Sequence, residues 1–279
     1  MAIIARILAF ARGAAPCLAL CLPLGACVTL DPSAEAPRIQ SAAALPADES
    51  ALRQLSEKLG RRYDSNPAER ENVIAYAAVL RKLQRYPQAA AVLQREAARM
   101  PDDLDVLAAY GKALADAGRL NEAADVLSHA HTPERPNWSV LSAQGAVADQ
   151  LGDHKAAQDF YEAALKMAPD EPNVLSNLGL SYALTQDLAR AETMLRRAVD
   201  LPGADARVRQ NYALVLSLRG KFRAATSTTQ RDLSDEAALQ NVTAIRQSLV
   251  QTDTWAQLAA DRPRKPPART AVLTLRPTH

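Results

Sequence analysis

The chain has 279 residues, 48% of them apolar and only 4% aromatic, which supplies a sizeable core but few of the side chains that favour sheets. Its formal net charge of +2 is set by the two ends: Arg6 and Arg12 lie near the start, and Arg262, Arg264, Lys265, Arg269 and Arg276 follow Asp261. Between Cys27 and Asp261, 26 basic residues meet 31 acidic ones, and a mildly acidic body weighs against nucleic-acid binding.

Residues 1–26 read as a secretory signal, because Arg6 and Arg12 precede an apolar stretch, Ala14 to Leu24, that ends in small residues. The stretch is interrupted by Pro16 and Pro23 and falls well short of the roughly 20 helical residues that cross a bilayer. Its end, Leu24-Gly25-Ala26-Cys27, resembles the lipobox of bacterial lipoproteins. That resemblance implies that Cys27 is lipidated and becomes the new N-terminus. Cys17 and Cys21 each follow a bulky or rigid residue, Leu20 or Pro16, and leave with the signal. The expected mature chain therefore has no free thiol and no disulfide, and its only attached group is the lipid on Cys27. Acyl chains contribute about 0.8 kcal/mol per buried methylene, so two or more anchor a protein stably. Val28, where an Asp would retain the protein elsewhere, implies the periplasmic face of the outer membrane by the rule for such lipoproteins.

Residues 27–48 form a lipidated tether rich in Ala, Pro and Ser. The folded domain is expected over 49–249. It opens with an amphipathic capping helix from Glu49 to Tyr63 that turns Leu52, Leu55 and Leu59 to one side.

A period then appears. Gly111, Gly145 and Gly179 are 34 residues apart, as are Ala89, Ala123, Ala157 and Ala191, each followed four residues later by Leu93, Leu127, Tyr161 or Leu195. Pro101 and Pro169 close two of the units. The fullest copy reads Leu175, Leu178, Gly179, Tyr182, Ala191, Leu195 and Ala198, and resembles the tetratricopeptide repeat (TPR), a helix-turn-helix unit. The resemblance implies an all-α TPR superhelix, an α-solenoid, of four full units at 70–103, 104–137, 138–171 and 172–205. A degenerate fifth begins at 206. The first unit departs from the pattern with Ala77 and Glu96, and the fifth loses it at Thr229 and Asp232, as terminal repeats do when one face meets no neighbour. The glycine on the first helix and the alanine on the second let two backbones approach, and the large residues fill the gap that remains, so this spacing is a packing signal.

A second cap, Asp235 to Leu249, is predicted to turn Ala238, Ile245 and Leu249 inward. Residues 250–279 are expected to be a mostly disordered basic, Pro-rich tail, in which Ala271 to Leu275 is the one strand-like segment.

The chain shows little that carries chemistry. His129, His131, His154 and His279 form no ligand pair at helical spacing, so no metal site is expected. Gly179-Leu180-Ser181-Tyr182-Ala183 has the outline of a nucleophile elbow, but that motif needs a strand before its turn, and here a helix runs through it. No catalytic residue, phosphate-binding loop or small-molecule substrate is expected. In TPR stacks the first helix of each unit lines the concave face, which assigns Ile74, Ala78, Ala108, Lys112, Ser142, Ala146, Ser176, Leu180, Gln210 and Leu214 to a peptide-binding groove. This surface lacks the Lys and Asn set with which chaperone-type TPRs clamp a terminal carboxylate, so an apolar or helical partner segment is the expected ligand. The competing reading is that Ile74, Leu180 and Leu214 pack only within the superhelix.

Leu107 to Ala115 (LAAYGKALA), Ser176 to Leu184 (SNLGLSYAL) and Arg207 to Phe222 (RVRQNYALVLSLRGKF) resemble the TadD family of TPR lipoproteins of the tight-adherence, or Flp, pilus assembly system. The likeness spans roughly residues 50 to 250. It implies an outer-membrane accessory factor, a scaffold or pilotin, whose partners are the secretin and other pilus assembly proteins. A lipoprotein of another envelope machine, a type IV pilus pilotin or an outer-membrane protein assembly factor, belongs to the same physical class. A periplasmic enzyme or small-molecule binder would instead show a deep polar pocket with buried ionisable groups.

Overall fold

The computed structural model describes residues 45–46 and 48–260. The expected signal, Cys27, nearly all of the tether and the tail after Ala260 lie outside the described residues. Those described form twelve α-helices and no strand. A first helix, α1 (Glu49–Ser65), precedes five hairpins: α2 (Arg70–Lys82) with α3 (Tyr86–Arg99), and α4 (Leu104–Asp116) with α5 (Leu120–Ser128). Then come α6 (Trp138–Leu151) with α7 (His154–Met167), α8 (Pro172–Leu184) with α9 (Leu188–Asp200), and α10 (Ala206–Leu218) with α11 (Phe222–Thr229). The last helix is α12 (Asp235–Ala260). The all-α solenoid expected from the period is the observed fold, and each hairpin starts on the 34-residue register.

The same register punctuates the chain. Asp103, Asn137, Glu171 and Asp205 stand immediately before α4, α6, α8 and α10, and each side chain accepts a hydrogen bond from a backbone N–H of the following first turn. Those donors have no partner within the helix, so a polar side-chain acceptor at this place starts it. Within each hairpin the turn between helices takes a left-handed residue at one repeat position: Gln84, Gly118, Gly152, Gln186 and Gly220, with φ of 58°, 77°, 89°, 66° and 73°. Three of the five are glycine, the residue for which this conformation carries no Cβ penalty.

Packing inside each unit is the steric contact that the spacing predicts. A Cβ placed on Gly111 would stand 2.6 Å from Leu127 Cγ, and one on Gly179 would stand 2.7 Å from Leu195 Cγ. Ala123, Ala157 and Ala191 are wholly buried beside them. In the fifth unit the glycine position holds Ala213 and the opposing large residue becomes Thr229, so added bulk on one helix coincides with less on the other. Glu96, the charged residue at a small-residue position of the first unit, is buried and accepts from Arg99. That guanidinium also donates to the Ala68 carbonyl at 2.8 Å.

Both ends are covered. α1 lays Leu52 and Leu59 against Val79, and Tyr63 packs beside Tyr76 with ring centroids 5.9 Å apart. α12 packs on α10 and α11 through Ala238 and Val242. This corrects the expected inward face: Ile245 and Leu249 are only half-buried, and Val242, one turn after Ala238, takes the inner place. α12 also continues beyond Leu249 to Ala260, so the segment from 250 to 260 is helical where a disordered tail was expected. No Gly or Pro interrupts the chain between Asp235 and Arg262, and nothing there stops a helix before Pro263.

Candidate partner-binding groove

Successive first helices, α2, α4, α6, α8 and α10, touch one another, whereas successive second helices scarcely meet. Rods packed closely on one side and splayed on the other make a curved stack, so the first helices form its inner wall.

That wall is tied across its rungs by polar side chains. Arg70 on α2 donates to Asp103 at 2.5 Å and to Asp105 at 2.7 Å, and Arg81 donates to Asp116 at 2.6 Å. Lys112 on α4 donates to Ser139 Oγ on α6 at 2.8 Å. Ser181 on α8 donates to Asp149 on α6 at 2.8 Å, Arg207 on α10 donates to Asn173 Oδ1 at 2.5 Å, and Asn211 donates to Ser176 Oγ at 2.9 Å. None of these pairs was assigned from sequence; their signal is a donor and an acceptor roughly one repeat apart. On the second-helix side, Glu192 of α9 is buried and receives Arg219 at 2.6 Å and Lys221 at 2.8 Å. Burial pushes its carboxyl up, but the two cations outweigh that and hold it below its ordinary value.

The ten expected groove residues divide. Ile74, Ala78, Lys112, Ser142, Ala146 and Leu180 are half-buried and Gln210 is exposed, so these seven are open to contact. Ala108, Ser176 and Leu214 are buried, which removes them from the groove surface. Ser176 is the clearest correction, being fully buried with its hydroxyl engaged by Asn211. A repeat position alone does not reveal how closely the neighbouring first helix covers it.

Lys112 differs from the other rung-forming cations. Arg70 and Arg81 each meet a carboxylate within 4 Å, whereas among the described residues the Lys112 ammonium donates to Ser139 alone. Burial pushes its pKa down to about 8, with repulsion from Arg81 adding to this and the Asp105 charge opposing it.

Asp149, His154 and Ser181 meet in one cluster, but not as a relay. The Asp149 carboxylate accepts Ser181 Oγ and lies 2.9 Å from His154 Nδ1, with burial raising its pKa. Ser181 is fully buried and donates to the carboxylate and not to the imidazole, so the group ties α6 to α7 and α8. Burial likewise raises the neighbouring Tyr161 hydroxyl, with the Asp149 charge adding to it. His129 is exposed with Nδ1 2.9 Å from the Asp125 carbonyl, and His131 Nε2 lies 3.1 Å from Gln144 Oε1. Among the described residues no three His, Cys, Asp or Glu side chains converge as a metal ligand set, and no helix is long and apolar enough to cross a membrane.

The chain is an all-α TPR superhelix. Two tetratricopeptide repeat families match it, one over residues 77–134 and the other over 150–215. Among curated proteins it is 26% identical over 153 residues to the protein O-mannosyl-transferase TMTC1 of Homo sapiens, covering 53% of this chain and 17% of that protein. It is 34% identical over 83 residues to the uncharacterized protein y4yS of Sinorhizobium fredii, covering 30% of this chain and 46% of that protein. The chain thus spans less than half the length of these curated relatives. Among solved structures it is similar to PilW, described as a widely conserved type IV pilus biogenesis factor, with a TM-score of 0.59 and 18% identity over 70% of this chain and 91% of that one. The Pseudomonas aeruginosa pilF structure gives 0.52 and 19% over 70% and 90%. At these identities the likeness concerns the fold.

Proposed function

We propose that this chain is a protein-binding scaffold of a pilus assembly machine, held at the outer membrane by a lipid on Cys27. The observation that carries the reading is the inner wall of first helices, whose half-buried residues Ile74, Ala78, Ser142, Ala146 and Leu180 are small or apolar and offer a helical or extended partner segment a groove. The finer assignment is an accessory role, as pilotin or scaffold, for the secretin of the tight-adherence (Flp) pilus. It is supported by the sequence resemblance of Leu107 to Ala115, Ser176 to Leu184 and Arg207 to Phe222 to the TadD family. In this reading the chain is no enzyme, takes no cofactor, and has neither nucleic acid nor a small molecule as ligand.

A gene deletion should leave the Flp secretin unassembled or misplaced and the cells without pili, and Cys27→Ala should release the protein from the outer-membrane fraction. A deletion strain with normal secretin multimers and pili would exclude the Flp role.

A second reading, a type IV pilus biogenesis factor, is favoured by the fold shared with PilW and pilF over about nine-tenths of their lengths. The same deletion separates the two by which secretin fails to assemble.

A further inference from the structure

The floor of the groove holds one cation whose environment is incomplete. The Lys112 ammonium carries three donors and, among the described residues, meets one acceptor, Ser139 Oγ at 2.8 Å. The nearby acids are committed elsewhere: Asp105 faces Arg70 at 2.7 Å and Asp116 faces Arg81 at 2.6 Å. At the repeat position of Lys112 the units before and after carry Ala78 and Ala146, and the following first helix also carries Ser142, all short and half-buried. A charge partly withdrawn from water and left without a counter-ion is costly, and an arriving carboxylate would relieve that cost while burying its own charge beside an opposite one.

We infer that Lys112 is the charged contact of the groove, pairing with an aspartate or glutamate side chain of a partner segment whose flanking residues are small and apolar. This rests on the protein-binding reading and specifies the chemistry of its ligand. A side-chain carboxylate fits better than a chain terminus, because capture of a terminus uses several converging donors. Here the second nearby cation, Arg81, is already bound to Asp116. A single ammonium among small side chains sets the register of a passing segment and contributes specificity more than bulk affinity.

The test is a selection of displayed random peptides, about twelve residues long, on the purified full chain, repeated with K112M and K112R. Peptides selected on the wild type should share one Asp or Glu flanked by small apolar residues. Changing that acid to its amide, or Lys112 to Met, should weaken binding about tenfold or more, while K112R retains most of it. Binding should also weaken from about pH 7 to about pH 10 as the ammonium loses its proton. The substitution on the peptide keeps the test valid if K112M folds poorly. Selected peptides without an acidic residue, or equal binding by K112M, would overturn the inference and leave the groove reading standing. Failure to select any peptide would overturn both.

Discussion

Gly145 on α6 lies so close to the ring of Tyr161 on α7 that a β-carbon on the glycine would stand 2.6 Å from Cε1 and 2.8 Å from Cδ1. The third hairpin closes at that distance because one partner has no side chain. Tyr161 is almost wholly buried, so the ring has little room to retreat.

Gly145→Ala should therefore overpack the hairpin and cost about 1 to 3 kcal/mol, and Gly145→Leu should cost more. Urea melts of the two variants against the wild type measure this. Unchanged midpoints would show that the helices can separate freely.

Gln84 and Gln186 hold φ of 58° and 66° at the turn position where the other three hairpins have glycine. The left-handed conformation costs a residue with a Cβ roughly 1 to 2 kcal/mol, part of which glycine returns through the entropy of the unfolded chain. Gln186→Gly should raise stability by about 0.5 to 1 kcal/mol, read as a higher thermal midpoint. Gly152→Val, at a φ of 89°, should lower it.

The Arg70 guanidinium, aided by the backbone N–H groups of Val106 and Asp105, holds the Asp103 carboxyl down to about 2. A carboxyl lowered on folding stabilises above its unfolded value, and that contribution is lost as pH falls through the folded one. The stability difference between wild type and Asp103→Asn should be constant above about pH 4 and should vanish towards about pH 2. A difference that persists at the acid end would mean that the pair does not titrate as a unit.

Lys112 also has its pKa lowered on folding, but for this base it is the charged form that folding disfavours. Its folded pKa, lowered to about 8, lies below the ordinary lysine value of 10.5, so the folded chain loses the proton first and stability rises with pH between the two values. In the absence of a partner, Lys112→Met should be more stable than the wild type at neutral pH. The gap should close as pH rises past about 10, which chemical melts across that range would record.

Much of the fold was legible because its determinants are local or periodic. The glycine series 111, 145 and 179 and the Ala-then-large pairs specify a contact between two helices of one unit, and that contact depends on residues a fixed distance apart. A second series with the same period, Gln84, Gly118, Gly152, Gln186 and Gly220, was equally available, and only the mixture of Gln with Gly hid it. Amphipathic spacing alone makes Ala238, Ile245 and Leu249 one face of the C-terminal cap, whereas contact with α10 and α11 concentrates burial at Ala238 and Val242.

Within the groove the limit was of another kind. Ser142 and Ser176 occupy the same repeat position and are identical in sequence terms, yet one is half-buried and the other is sealed beneath Asn211. What separates them is the angle and closeness of the next first helix, set by side chains in two units at once. The pairing of Arg81 with Asp116 and the lack of a carboxylate for Lys112 arise in the same way.

The amino-acid sequence by itself determined the helical hairpin, its 34-residue length and its stacking, because these follow from sterics repeated along the chain. Tertiary structure alone decided which inner-wall residues face outward and which charge is left unanswered. Burial and ion pairing are properties of neighbouring surfaces brought together, and no single repeat encodes them.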